Sequence, residues 1–500
     1  WSSRLRLPDV LLALIAAAGV LLVHDLGYLL QHPYWLDEAW VVDSTRVRLS
    51  DLSQTSSVTP VGFSLLLRLV VFGGEQRQRL IPLAFAGLTV ALAYLCGRQF
   101  GLRRGVSLLL LGVTGLFVPA MLVRADLKQY TAEACWTVLV LLLLLRLESV
   151  WSRRRLALLA AVIGVGPLFA NADLFVGSAA LLALAVLALA ERQWSRLRDI
   201  VIAAGAAGVV VAAILAAFVL PKQNAALRHY WDAFYLPRNP SAAAHFLYHR
   251  LQAMAPTTGL HSVLLVFLGC ALGTGVLVWR RRRATALVLP LAFAELVLAS
   301  ALHVYPLLDL RTSTWLSVLA VVVTGLGVAQ LCAGLGRRHR AVPIILAGVA
   351  SAGFALTNTT GVRAHPLPPE DVRAQAHYVA DHQRPADVVI VDLSANWGYA
   401  YYRGIDPLSI VDSGPASATG FFIRYTDPQV VAMHSRTQAS PAAALRTARS
   451  RLGPGGRIFV VRSHLAPAES AGWQQALAGQ PVTTLNVGPE PLLVVPGATP

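Results

Sequence analysis

Asp37 and Glu38 are the first residues along the chain that look placed for chemistry. They stand side by side in Tyr34-Trp35-Leu36-Asp37-Glu38-Ala39-Trp40, just after the first long apolar run, which begins near Val10. Ionisable groups at the mouth of a membrane helix are costly, so they usually face a cavity and carry function. A solvated acidic turn that ends a helix is the plainer reading, and for an isolated Asp-Glu it is equally good. Cations suited to an anionic partner lie far along the chain. Arg311, in Tyr305-Pro306-Leu307-Leu308-Asp309-Leu310-Arg311, stands at a helix start, where the dipole favours an anion and the planar fork fits phosphate oxygens. The bland alternative is an Arg snorkelling to the membrane interface. Arg124 and Lys128 are four residues apart and share one helix face. His303 has the chemistry to hydrogen-bond a phosphate or a sugar, although a lone His at a helix end is more often structural.

The elements that must position these groups are membrane spans. The 500 residues are 56% hydrophobic and 14% charged, with a mean hydropathy of +0.58. That is a polytopic α-helical membrane protein with something soluble attached. Of the net charge of +16, residues 358–500 account for +1, with 11 Arg, no Lys and 10 acidic residues. The remaining +15 falls in residues 1–357, in short connections between apolar runs, as the positive-inside rule expects. No basic and aromatic patch accompanies it, so nucleic acid is not an expected partner. Arg4 and Arg6 place the N-terminus in the cytoplasm, and no Ala-x-Ala-like site follows the first apolar run, which is expected to stay as an anchor. About eleven spans then alternate, the first near Val10–Leu30, the third near Val106–Leu122 and the last near Val342–Thr357. On that count Arg103-Arg104, Arg153 to Arg155, Arg280 to Arg283 and Arg337 to Arg340 all fall inside. The Asp37 loop, Lys128 and the 303–311 segment all fall outside.

Residues 358–500 read as a second, extracytoplasmic domain. Pro366, Pro368 and Pro369 form a stiff linker, Glu370 to His382 looks helical, and Asp387 to Leu393 is a buried strand. Further strands at Arg457 to Arg462 and Leu492 to Val495, with helices at Pro441–Arg451 and Pro467–Leu477, give a small α/β domain. Asp392, Ser394, Asn396 and Trp397, followed by Tyr399, Tyr401 and Tyr402, could bind a glycan, though packing explains them as easily. Cys96, Cys135, Cys270 and Cys332 all lie in apolar runs, so neither a disulfide framework nor a Cys metal site is expected. His229 and the pair His245 and His249 lack tight ligand spacing, and no metal site is assigned.

The ordered set of motifs resembles the GT-C superfamily of integral-membrane glycosyltransferases, in particular protein O-mannosyltransferases and lipid A aminoarabinose transferases. The resemblance rests on Trp35-Leu36-Asp37-Glu38, then on Thr59-Pro60-Val61-Gly62-Phe63 opening a short apolar run to Gly73, too short to span and suited to lying along the surface. Arg77-x-Arg79-Leu80-x-Pro82 follows, and Tyr305-Pro306 precedes Arg311. The spacing from Arg124 to Tyr130 is wider than the family's Arg-x-Tyr. The resemblance implies an inverting enzyme that takes a sugar, mannose first and a pentose such as arabinose next, from a polyprenyl-phosphate carrier. Asp37 would be the base, and Glu38 would orient the acceptor or stabilise the fold. Arg311, Lys128, Arg124 and His303 would hold the phosphate, and Tyr34, Tyr130 and Tyr305 would line the substrate site. No cofactor is required, and a divalent metal stays open. The acceptor would be a glycan, lipid or protein of the cell envelope, with the enzyme in the plasma membrane. A secondary transporter or flippase is the rival, but it calls for inverted repeats and midplane broken helices, which the sequence does not show. A non-catalytic glycan-binding partner is a third reading.

Overall fold

The computed structural model describes residues 7–23, 25–55, 59–70, 74–113, 127–223, 225–335, 341–363, 370–405, 408–413 and 420–497. The expected helical bundle is present. Of the eleven expected spans, six are, among the described residues, helices long and apolar enough to cross a bilayer: Gly74–Phe100, Tyr130–Ser149, Asp173–Ala190, Trp194–Val219, Arg283–Ala301 and Thr314–Leu335. A seventh is the pair Pro240–Thr258 and Val263–Trp279, bent by 72°. Leu7–Gly19 and Val342–Asn358 are shorter apolar stretches, as is the 13-residue helix Arg153–Val165. The run near Val106 is described only as far as Val113. The first run is also interrupted. Helix Leu7–Val23 stops, and Asp25 Oδ1 accepts from Tyr28 N–H at 3.0 Å to cap a separate helix, Leu26–Gln31.

Helix Tyr130–Ser149 is the most enclosed of the long helices and Trp194–Val219 the least, so the former is the hub and the latter a lipid-facing rim. Where Val263–Trp279 crosses Thr314–Leu335, a Cβ on Gly273 would stand 2.2 Å from the Val323 carbonyl oxygen, and one on Gly327 would stand 2.8 Å from Gly273 Cα. Small residues let these backbones touch.

Charge divides the bundle into two ends. At one, Asp9 Oδ1 accepts from Arg98 Nε and Arg104 Nε, each at 2.9 Å, Arg153 pairs with Asp199 at 2.8 Å, and Arg283 pairs with Glu191 at 3.1 Å. At the other, Arg79 binds Glu38. Arg79 and Arg98 belong to one helix, Gly74–Phe100, and are about 28 Å apart along its axis.

After helix Val342–Arg363 the chain enters an α/β domain, beginning at Glu370. Strands β1 (Val388–Val391), β4 (Val430–Ala432), β5 (Arg457–Val461), β6 (Thr483–Leu485) and β7 (Leu492–Pro496) form one sheet in the order β4-β1-β5-β7-β6. β1 is parallel to β4 and β5, and the remaining pairs are antiparallel. Val389 and Val391 face helix Val372–His382, while Val388 and Ile390 face helices Ser440–Arg451 and Pro467–Leu477. A strand covered on both faces reads as an unbroken apolar run rather than an alternating one, which is why it was legible in the sequence. Strands β2 (Ile410–Asp412) and β3 (Phe421–Ile423) pair separately. Asp392 is fully buried, and its oxygens accept from Ala395 N–H at 2.7 Å and Ser463 N–H at 2.9 Å. Trp397 and Tyr399 are buried as well. Tyr399 packs within the domain, and Trp397 packs where the domain meets the bundle.

Candidate active site

The motif folds as the first turn of helix Leu36–Arg46, with Trp35 at the N-cap and Asp37 and Glu38 following. Successive side chains on a helix diverge by about 100°. The two neighbouring acids therefore enter different surroundings.

Asp37 turns toward the end of the bundle. Its Oδ2 accepts from Lys128 Nζ and from Arg311 Nη1, each at 2.7 Å. Three side chains separated widely in sequence thus meet at one oxygen, and they keep 19%, 10% and 30% exposure respectively. Burial acts to raise the Asp37 pKa, but Lys128 and Arg311 outweigh it and hold the carboxyl below its ordinary value. Motif aromatics brace both cations: Lys128 Nζ lies 5.2 Å from the Trp40 ring centre, and the Arg311 guanidinium 5.9 Å from that of Trp35. Each cation sits just before an apolar helix, Lys128 before Tyr130–Ser149 and Arg311 before Thr314–Leu335. The Arg311 turn is organised by Asp309, whose Oδ2 accepts from the backbone N–H groups of Arg311 (3.2 Å) and Thr312 (3.0 Å). Leu307 and Leu308, both buried, and a bond from Leu307 N–H to the Phe234 carbonyl at 2.8 Å pin the segment before it.

Glu38 points into a sealed pocket instead. Its two oxygens take Arg79 Nε (3.2 Å) and Nη2 (2.7 Å), with the pair at 0% and 1% exposure. Arg79 Nη1 also donates to the His32 carbonyl at 2.5 Å, and its guanidinium lies 4.7 Å from the Tyr34 ring centre. Tyr34 Oη donates to Gln78 Oε1 at 2.5 Å. Tyr34 and Glu38 are thereby enclosed in the brace of the loop, and of the two roles expected for Glu38 this geometry supports stabilising the fold.

The outer domain forms the other half of that brace. Tyr402 Oη accepts from Tyr34 N–H at 2.7 Å, Glu370 Oε2 from Leu36 N–H at 2.9 Å, and the Ile405 carbonyl from Arg46 Nη2 at 2.9 Å. One apolar cluster runs through Trp40, Phe63 and Leu67 on the loop side and Trp397, Phe421 and Phe422 on the domain side. Phe63 and Leu67 belong to helix Val61–Leu69, the short helix expected along the surface.

The other expected residues are placed as follows. Tyr130 is buried in the bundle core at the start of its helix. Tyr305 donates its hydroxyl to the Thr312 carbonyl at 3.0 Å and meets the Phe175 ring edge-on at 5.0 Å. His303 is exposed, stacks on Tyr235 at 4.8 Å, and makes no hydrogen bond or ion pair with Asp37, Lys128 or Arg311. Arg124 lies outside the described residues. Among the described residues no group of three or more His, Cys, Asp or Glu is placed to hold a metal ion. Sequence reasoning missed the partnership of Glu38 with Arg79, the cation contacts of Trp35 and Trp40, and Glu370. Only Arg79 carried a signal, through its place in the quoted motif.

No family model matches the chain, and no curated protein matches it in sequence. Solved structures do match it. ArnT from Cupriavidus metallidurans, solved bound to undecaprenyl phosphate, is similar over 97% of each chain, at 14% identity and a TM-score of 0.54; its apo structure gives the same values. The archaeal oligosaccharyltransferase AglB from Archaeoglobus fulgidus, in complex with an inhibitory peptide and a dolichol-phosphate, covers 91% of this chain and 69% of its own, at 10% identity and a TM-score of 0.50. The ArnT likeness spans the bundle and the outer domain together, and the chain shares the fold of these two structures.

Proposed function

We propose that this chain is an inverting glycosyltransferase, embedded in the plasma membrane, that moves a sugar from a polyprenyl-phosphate carrier to a cell-envelope acceptor. One observation carries the reading: a single carboxylate oxygen, on Asp37, holds two cations at the mouth of the bundle. That carboxylate stands where an anionic phosphate would be held. A donor phosphate competes for Lys128 and Arg311, and as they turn to it Asp37 is released beside the reacting carbon. The acceptor oxygen then attacks the anomeric carbon from the face opposite the phosphate. The bond from that carbon to the phosphate oxygen breaks with its electron pair going to the phosphate, where Lys128 and Arg311 stabilise the growing charge. Asp37 takes the acceptor proton, and one displacement inverts the anomeric centre.

The basicity of Asp37 is coupled to this exchange. The two cations depress its pKa while it holds them, so losing them to phosphate raises it as the base is needed. Adjoining the cations in sequence, Gln129 Oε1 and Thr312 Oγ1 are buried without a hydrogen-bond partner among the described residues, which suits sugar hydroxyls. Mannose heads the candidate sugars by the sequence resemblance, with arabinose second. The neighbours' lipid phosphates, undecaprenyl phosphate on ArnT and dolichol-phosphate on AglB, support the donor class.

The basic connections gather at the end opposite Asp37, which supports a cytoplasmic N-terminus and an outer active site. Single cysteines in a background without the native four test this. A Cys at Ser450 should react with an impermeant reagent added outside intact cells, and one at Ser195 should not; both positions are exposed. The reverse pattern overturns the orientation. For the reaction itself, binding and transfer of polyprenyl-phosphate mannose and arabinose are measured separately. A chain that binds neither donor is not this enzyme.

A further inference from the structure

The helix that carries Asp37 lacks a cap of its own. Its N-cap is Trp35, whose side chain makes no capping bond, where Ser, Thr, Asp or Asn would normally serve. The cap comes from the other domain. Leu36 N–H donates to Glu370 Oε2 at 2.9 Å, across 334 positions of sequence. Glu370 is 3% exposed, and its second oxygen meets His464 Nδ1 at 2.7 Å. His464 follows β5 in a left-handed conformation with φ of +51°, which is unfavourable for a residue with a Cβ. Its backbone N–H donates to both oxygens of Glu490 at 2.9 Å, and its carbonyl accepts from Ser394 Oγ at 3.4 Å. A strained residue held from several sides thus aims its ring at the group that caps the catalytic turn.

We propose that Glu370 is a positioning residue for glycosyl transfer, capping the Asp37 helix from the outer domain while His464 holds Glu370 in place. The proposal rests on Asp37 being the base. A carboxylate at a helix start stabilises the first turn through its hydrogen bond and the helix dipole. Asp37 is the next residue after the capped Leu36, so the cap fixes where its carboxylate points.

The contact should also respond to pH. The groups facing His464 are Glu370, Glu490 and Arg436. The hydrogen bond to Glu370 raises its pKa most, burial opposes, Glu370 and Glu490 charges raise it, and Arg436 lowers it; the net direction is upward. A raised imidazole pKa means that the ion pair is fully present below the ordinary value near ~6.5 and is lost as pH rises through the raised one.

The test combines amide hydrogen exchange over Trp35–Trp40 with transfer from polyprenyl-phosphate mannose to an alkyl mannoside, on the full chain in nanodiscs. Glu370→Ala should speed Leu36 exchange by roughly tenfold, the loss of one hydrogen bond to a charged acceptor. It should lower kcat by about 10–100-fold with little change in the donor KM, as expected for a displaced catalytic group. Glu370→Gln keeps an oxygen for Leu36 N–H, so protection and rate should largely return, while the pH dependence of Leu36 exchange set by His464 should disappear. His464→Gln gives a milder second variant should Glu370→Ala fold poorly, and it should weaken protection and kcat together. Unchanged Leu36 exchange in the Ala variant overturns the cap, and raised exchange with unchanged kcat overturns positioning. A wild-type chain that turns over no lipid-phosphate sugar sinks the glycosyltransferase reading instead, and exchange, which needs no turnover, tells the two failures apart.

Discussion

Asp37 and Glu38 are neighbours in sequence and both are ion-paired, yet their surroundings differ in kind. Around Asp37, one carboxylate oxygen serves two cations in a partly open site. Around Glu38, one guanidinium satisfies both oxygens in a sealed one. The first pair has partners to spare and water within reach, so an arriving anion can take its cations. The second is closed to water, and breaking it would strand a buried charge. Half-open pairs are suited to exchange partners during a reaction, and closed pairs are suited to hold the frame that aims them.

Substitutions at the two acids should separate these roles. Asp37→Asn keeps shape and hydrogen bonding but removes the proton acceptor, so the lipid-phosphate donor should still bind while transfer falls by about 10³-fold or more, as for loss of a general base together with its charge. Near wild-type transfer in that variant would remove Asp37 from the chemistry. Glu38→Gln should instead lower thermal stability, with loss of one partner from a buried pair costing roughly 3–5 kcal/mol. Its residual activity should track the folded fraction. Replacing Glu38 and Arg79 together with Met should recover much of that stability, and failure to recover would mean that the pair does more than brace the loop.

The proposed phosphate contacts come next in size. Arg311→Ala should lower turnover by about 10²–10³-fold, the usual loss for one transition-state contact. Arg311→Lys keeps the charge without the fork and should fall between that variant and wild type. Trp35→Leu should act in the same direction but more weakly, because a cation–π contact at a partly exposed site contributes only about 0.5–1 kcal/mol. Equal rates for Arg311→Ala and wild type would reduce the Asp37 cluster to a structural salt bridge.

The Asp37 cluster was legible because its residue types are out of place in a membrane: an acid pair between aromatics, and cations at the starts of apolar helices. Asp37, Lys128 and Arg311 each carried that local signal, and the fold brings them to one oxygen. Arg79 carried a weaker one, since a basic residue near a helix end looks like topogenic charge until its partner, 41 residues earlier, is seen. Glu370 carried none. It begins a helix-like stretch of the outer domain, and its contact with Leu36 exists only because an apolar cluster fuses the two domains. His303 differs again, for its chemistry fits a phosphate while its exposed ring stacks on Tyr235. The outer sheet was read through β1, β5 and β7, whose apolar runs are fully covered. The three-residue strands β2, β3, β4 and β6 are too short to stand out from their flanks.

The smallest effect predicted here concerns pH, and it distinguishes a partner-exchanging Asp37 from one that stays paired. In the free protein Lys128 and Arg311 hold its carboxyl below the ordinary range. A depressed pKa contributes stability that is present above the unfolded value near ~3.9 and is lost only as pH falls through the folded one. The acid limb of kcat/KM reports the free enzyme and should therefore lie at unusually low pH. The acid limb of kcat reports the donor complex, where the cations face phosphate instead, and should lie higher. Lys128→Met should narrow the gap by raising the free-enzyme limb, since one of the two depressing charges is then gone before any donor arrives. The measurement is a pair of pH profiles with saturating and limiting polyprenyl-phosphate mannose. Coincident acid limbs in wild type would mean that Asp37 keeps its cations throughout, and the phosphate would have to be held by other groups.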